Sequence, residues 1–105
     1  METTEPTREE IDRTSGPLLL EFGATWCGHC QALAPQLAEV LATYPHVRHI
    51  KVEDASGRRL GRSFGVTLWP TLVFLRDGHI VQTAVRPDRE EIQEGLKAVT
   101  EVKVE

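Results

Sequence analysis

The residue pattern predicts an α/β domain built on a mixed β-sheet. Two observations carry that prediction. Residues 18–53 read as strand, helix, strand, and two apolar runs joined at Asp77-Gly78 lead into a helix that brings its own cap. The first succession calls for parallel pairing and the second for antiparallel pairing, which gives four strands in one sheet.

The elements follow in order. Residues 1–6 are polar and expected to fray. Residues 7–13 have weak helical character and stop at Ser15-Gly16-Pro17, so residues 1–15 form a polar N-terminal segment ahead of a domain over 16–105. A nearly continuous apolar run over 18–23 suits a strand covered on both faces. Residues 27–43 place Leu33, Leu37, Val40 and Leu41 on one helical stripe. Pro35 predicts a kink in that helix, and Tyr44-Pro45 closes it. A second strand over 47–53 alternates through Ile50 and Val52, and a short helix over 57–64 follows. Strands over 72–75 and 80–85 flank the Asp77-Gly78 turn. Asp88 caps the last helix, Glu91 completes a capping box, and Ile92, Leu96 and Val99 form its buried face.

Composition narrows the function classes. A chain of 105 residues with 40% hydrophobic content is one small domain with a core of its own. Its net charge of −4 argues against nucleic acid or an anionic membrane as partner. The local cluster Arg58, Arg59 and Arg62 is read as solvated surface. No run approaches the roughly 20 apolar residues of a membrane span. The first residues lack a basic stretch followed by an apolar one, so the chain reads as cytoplasmic. A periplasmic protein shorn of its export signal would read the same way.

Trp26-Cys27-Gly28-His29-Cys30 carries the chemistry. Two thiols separated by two residues at a strand-to-helix junction can close a disulfide with little backbone movement. The helix N-terminus favours a thiolate at Cys27, and Cys30, one turn inside, is the natural resolving thiol. Half of a zinc site is the competing reading. It would draw its remaining ligands from His29, His46, His49 and His79, because there is no second cysteine pair. Haem attachment is excluded, since Gln31 follows Cys30 where that motif needs histidine. His29 is expected to tune the pair by favouring the Cys27 thiolate, whereas His46, His49 and His79 read as surface histidines. Glu21 is the lone charge in an apolar strand. If that strand is central, Glu21 is buried, with its pKa raised, and can take the proton from Cys30; on an edge it would face solvent.

With these features the chain resembles the thioredoxin superfamily over roughly residues 16–100. Four of them carry the likeness: Glu21 on its strand, the Trp26–Cys30 motif, Pro35 in the next helix, and Trp69-Pro70-Thr71 before the hairpin. The resemblance implies a three-layer sandwich with helices on both faces of the sheet, and a cis Trp69–Pro70 bond facing the cysteines. A fifth, edge strand would have to come from residues 1–15, which offer no convincing one. It also implies a thiol–disulfide oxidoreductase working on protein disulfides through Cys27 and Cys30, without a bound cofactor. Such a protein acts as a monomer and draws electrons from a separate reductase such as thioredoxin reductase. Trp26, Trp69, Pro70 and Thr71 would meet the substrate, although either tryptophan could instead pack in the core and Pro70 could be a plain turn proline.

Several positions depart from the family pattern. Gly28-His29 resembles protein disulfide isomerase domains, where thioredoxins usually have Gly-Pro. Gly23 replaces a common aromatic residue, and Arg86 stands where thioredoxins carry a glycine that contacts partners. Those departures bear on the direction of electron flow and on substrate range. An oxidase or isomerase, and a binding or assembly module with incidental thiols, are the readings that compete with a reductase.

Overall fold

The computed structural model describes residues 5–54 and 58–101. Its elements are α1 (Arg8–Asp12), β1 (Pro17–Gly23), α2 (Gly28–Leu41), β2 (Arg48–Glu53), α3 (Arg59–Ser63), β3 (Thr71–Arg76), β4 (His79–Val85) and α4 (Arg89–Thr100). Part of the segment expected to fray (residues 1–4) and the expected start of the short helix at Gly57 lie outside the described residues.

The strands form one sheet in the order β2-β1-β3-β4. β1 runs parallel to β2 and antiparallel to β3, and β3 runs antiparallel to β4. Because side chains alternate along a strand, β1 sends Leu18, Leu20 and Phe22 to one face and Leu19, Glu21 and Gly23 to the other. The first set joins Ile11 of α1, Leu60 of α3, Ile50, Val52, Val73 and Leu75. The second face holds Leu19, Leu72 and Phe74 against Leu33 and Leu37 of α2 and Ile92, Leu96 and Val99 of α4. These are the three layers, and the central β1 is buried along nearly its whole length. Among the described residues the sheet has four strands, and the N-terminal segment supplies a helix.

Local chemistry accounts for the boundaries. Thr7 and Glu10 form a capping box on α1, and Asp88 and Glu91 form one on α4. Asp77 (φ 51°) and Gly78 (φ 79°) both take left-handed backbone, as a two-residue hairpin turn of type I′ requires. Pro35 lies inside α2, where its missing N–H leaves the carbonyl one turn earlier without a helical donor. Arg58, Arg59 and Arg62 stand exposed, as a solvated cluster does. Among the described residues no helix is long and apolar enough to cross a membrane.

Gly95 lets α4 lie close on the sheet, because a Cβ there would come within 2.5 Å of the Phe74 ring. Gly95→Ala gains about 1 kcal/mol in helix propensity, yet overpacking costs roughly 1–3 kcal/mol. Overpacking wins, and the variant should unfold at a lower urea concentration than the parent.

Candidate active site

Cys27 ends the loop after β1 and serves as the N-cap of α2, with an extended backbone (φ −81°, ψ 118°). Its sulfur occupies the capping position usually filled by a serine or aspartate oxygen, accepting a hydrogen bond from the Cys30 N–H at 3.2 Å. Cys30 sits in the first turn of α2. Both residues are free thiols; Cys27 is 9% exposed at the rim and Cys30 3% exposed beneath it. The Gln31 side chain donates to the Thr25 carbonyl (2.9 Å) and Glu53 accepts from the Thr25 N–H (3.1 Å), which braces the loop before the pair.

The two sulfurs are driven apart in acidity. Burial works against the Cys27 thiolate, but hydrogen bonds from the Cys30 thiol and from the Cys30 and His29 backbone N–H groups, with the Arg86 charge, outweigh it and lower the pKa. Cys30 is pushed up to about 11 by burial, then by the hydrogen bond to Cys27 and the negative charges of Cys27 and Glu21, against one backbone hydrogen bond at Ala24. His29 bears on Cys27 through its backbone, and the cationic side chain that does so is Arg86. His29 itself is exposed at the start of the helix.

Glu21 is buried at 3% exposure, on the face of β1 that carries α2. His49 Nε2 lies 2.8 Å from its Oε1, within hydrogen-bond distance. His49 is therefore not the surface histidine expected from the sequence. Parallel pairing sets Leu19 beside His49, so the residue shares the face of Leu19 and Glu21, and its side chain is only 13% exposed. His46 and His79 are exposed as expected. Gly23 is buried too: a Cβ there would stand 2.7 Å from the Cys30 sulfur.

The loop before β3 forms the opposite wall. The Trp69–Pro70 peptide is cis; Trp69 flanks the cysteines from this side and Pro70 faces His29 across a second depression. Trp69 packs beside Ala24, Cys27 and Cys30, and its indole N–H donates to the buried Asp54 at 2.8 Å. Asp54 escaped notice in the sequence; the only signal was an indole N–H in need of an acceptor. Trp26 stands 69% exposed with its ring edge-on to Trp69, centroids 5.3 Å apart, so it lies outside the core. Trp26, Cys27, Leu68, Trp69 and Arg86 line an open groove of about 350 Å³. Thr71, expected to meet substrate, is 2% exposed and gives its hydroxyl to the Leu68 carbonyl (2.6 Å). Its side chain braces the loop instead.

Arg86, just beyond β4, has left-handed backbone (φ 48°), a costly state for a residue with a side chain. Its N–H donates to the Pro70 carbonyl (2.8 Å) and its Nε to the Trp69 carbonyl (2.9 Å), tying it to the cis loop.

Among the described residues no three His, Cys, Asp or Glu side chains gather as metal ligands, and His49 is engaged by Glu21. Thiolates alkylate and thiols do not. With Cys27 lowered and Cys30 near 11, iodoacetamide should modify Cys27 first, with an inflection below that of a free cysteine. Cys30 should react only as the pH nears about 11. Peptide mapping of alkylated protein across pH checks both.

Comparison with known proteins places this arrangement. The family model described as Thioredoxin matches residues 1–98. The chain is 33% identical over 88 residues to Thioredoxin Asp f 28 of Aspergillus fumigatus, covering 83% of this chain and 82% of that protein. It is 42% identical over 96 residues to protein disulfide-isomerase A2 of Homo sapiens, covering 71% of this chain and 18% of that longer protein. Among solved structures, reduced thioredoxin 2 of Pseudomonas aeruginosa PAO1 superposes with a TM-score of 0.79 at 57% identity, over 90% of this chain and 89% of that one. The chain belongs to the thioredoxin family, and it is a thiol–disulfide oxidoreductase.

Proposed function

We propose that the protein reduces disulfides in other proteins, with Cys27 as nucleophile, Cys30 as resolving thiol and Glu21 as the base that serves Cys30. The Cys27 thiolate attacks a substrate disulfide, forming a mixed disulfide and expelling one substrate thiolate, which takes a proton from solvent. Cys30 then gives up its proton to Glu21, directly or through water, and attacks the Cys27 sulfur. The second substrate thiolate leaves, and two electrons have passed from the Cys27–Cys30 pair to the substrate. The observation that carries this reading is the split in acidity between two sulfurs joined across one helical turn.

An attacking thiol works best near ambient pH, whereas the resolving thiol must stay protonated until needed. Glu21 raises the Cys30 pKa by its charge, and the partly exposed His49 gives the carboxylate a link toward solvent. Trp26 and Trp69 offer apolar surface to an extended substrate chain, and Pro70 presents the backbone of Trp69 for strand-like pairing. Electrons return through a separate reductase of the thioredoxin reductase type, and the domain works as a monomer with no cofactor of its own. A cytoplasmic setting suits net reduction, because that compartment keeps thiols reduced.

Insulin-disulfide reduction tests the assignment. Cys27→Ser should abolish turnover, and Cys30→Ser should trap a mixed disulfide visible by mass. Glu21→Gln should slow resolution about a hundredfold, so that the same mixed disulfide accumulates with Cys30 intact. Turnover by Cys27→Ser at the parent rate would leave only a binding module.

The pair Gly28-His29 bears on direction. Greater stability of the Cys27 thiolate stabilises the reduced state, by about 30 mV for each unit of thiol pKa. His29→Pro should lower the redox potential by some tens of millivolts, measured against glutathione. A parent potential well above that of the cytosolic glutathione pool would instead favour oxidation or isomerisation of substrates.

A further inference from the structure

We propose that Arg86 makes the active-site groove selective for acidic disulfide substrates, namely extended peptides carrying aspartate or glutamate beside the reacting cysteine. The inference rests on the reading of Cys27 as nucleophile and of the Trp69 backbone as the edge that pairs with substrate. Four observations lead to it.

First, Arg86 lines two depressions, one with Cys27 beside Trp26, Leu68 and Trp69 and the other beside His29 and Pro70. Among the described residues neither is lined by a carboxylate. On a chain of net charge −4, the rim of the site is thus locally cationic. Second, the guanidinium has five N–H donors, of which only Nε–H has a partner among the described residues, the Trp69 carbonyl. The two terminal amino groups remain for a carboxylate, which they match as a fork.

Third, that carbonyl is the acceptor an incoming peptide N–H needs for strand-like pairing. In the free protein Arg86 covers it. A neutral peptide N–H can only share that oxygen with the guanidinium, whereas an acidic peptide also supplies a carboxylate for the guanidinium to bind. Fourth, the backbone of Arg86 sits at φ 48°, where a glycine would be unstrained. Strain of this kind persists where the surrounding structure holds it, and here two hydrogen bonds to the cis loop do so. Arg86 also offsets the repulsion that the Cys27 thiolate exerts on a negatively charged substrate.

The test uses three disulfide-bearing peptides, identical except for Glu, Gln or Lys next to the reacting cysteine. At low ionic strength the parent protein should favour Glu over Lys about fivefold in kcat/KM, the size expected of an exposed charge pair. The preference should fade toward none at about 0.5 M salt. Arg86→Gln should shift all three rates and erase the order among them, and Arg86→Lys should restore part of it. Equal rates for the three peptides with the parent, or an order kept intact by Arg86→Gln, would overturn the proposal. Affinities of the S-methylated peptides, which cannot react, separate this idea from the one beneath it. A charge preference in affinity without turnover would sink the redox reading and keep the role of Arg86; turnover without a charge preference would do the reverse.

Discussion

The Cys27 sulfur closes the N-terminus of α2, and much of the molecule exists to hold it there. A helix leaves its first N–H groups without partners, and here the thiolate takes the one from Cys30. The same contact sets the two sulfurs across a single turn, so that charge on one suppresses ionisation of the other. Capping, helix polarity and the difference in acidity are thus one interaction seen from three sides. A thiolate placed mid-helix would lose the unpaired N–H groups, and a pair in a loop would lose its fixed separation.

That helix start is positioned by a sheet buried on both faces. β1 delivers the loop to the cysteines and buries Glu21 on its α2 face, at the cost of a carboxylate inside the protein. The partner that makes this burial tolerable comes from the neighbouring strand, where His49 reaches Glu21 at 2.8 Å. Gly23 completes the arrangement by what it lacks, since the Cys30 sulfur occupies the space a side chain would need. Core packing and the site are therefore the same construction on the α2 face of β1.

The opposite wall is fixed by polar anchoring. Asp54, at the end of β2, holds the Trp69 indole, and Gly61 on α3 gives that carboxylate its room. Arg86 reaches from the end of β4 to the Trp69 and Pro70 carbonyls. Residues from two strand ends thus converge on one short loop beside Cys27, while Trp26 stays exposed.

The sequence by itself determined the elements and the chemistry. Apolar periodicity, the Asp77-Gly78 turn and the Asp88–Glu91 cap are local signals that survive into the fold, as are two thiols spaced for one helical turn. It also marked Glu21 as an isolated charge in an apolar strand, although the sheet order decided that this strand is central. Tertiary structure alone decided what these residues meet. His49 left the surface because strand register chose its face, and Thr71 turned inward to satisfy the Leu68 carbonyl. Arg86, distant in sequence, bears on Cys27 because the end of β4 is tied to the cis loop. Local pattern fixes which groups a segment offers; pairing between distant segments fixes the distances over which charges and hydrogen bonds act.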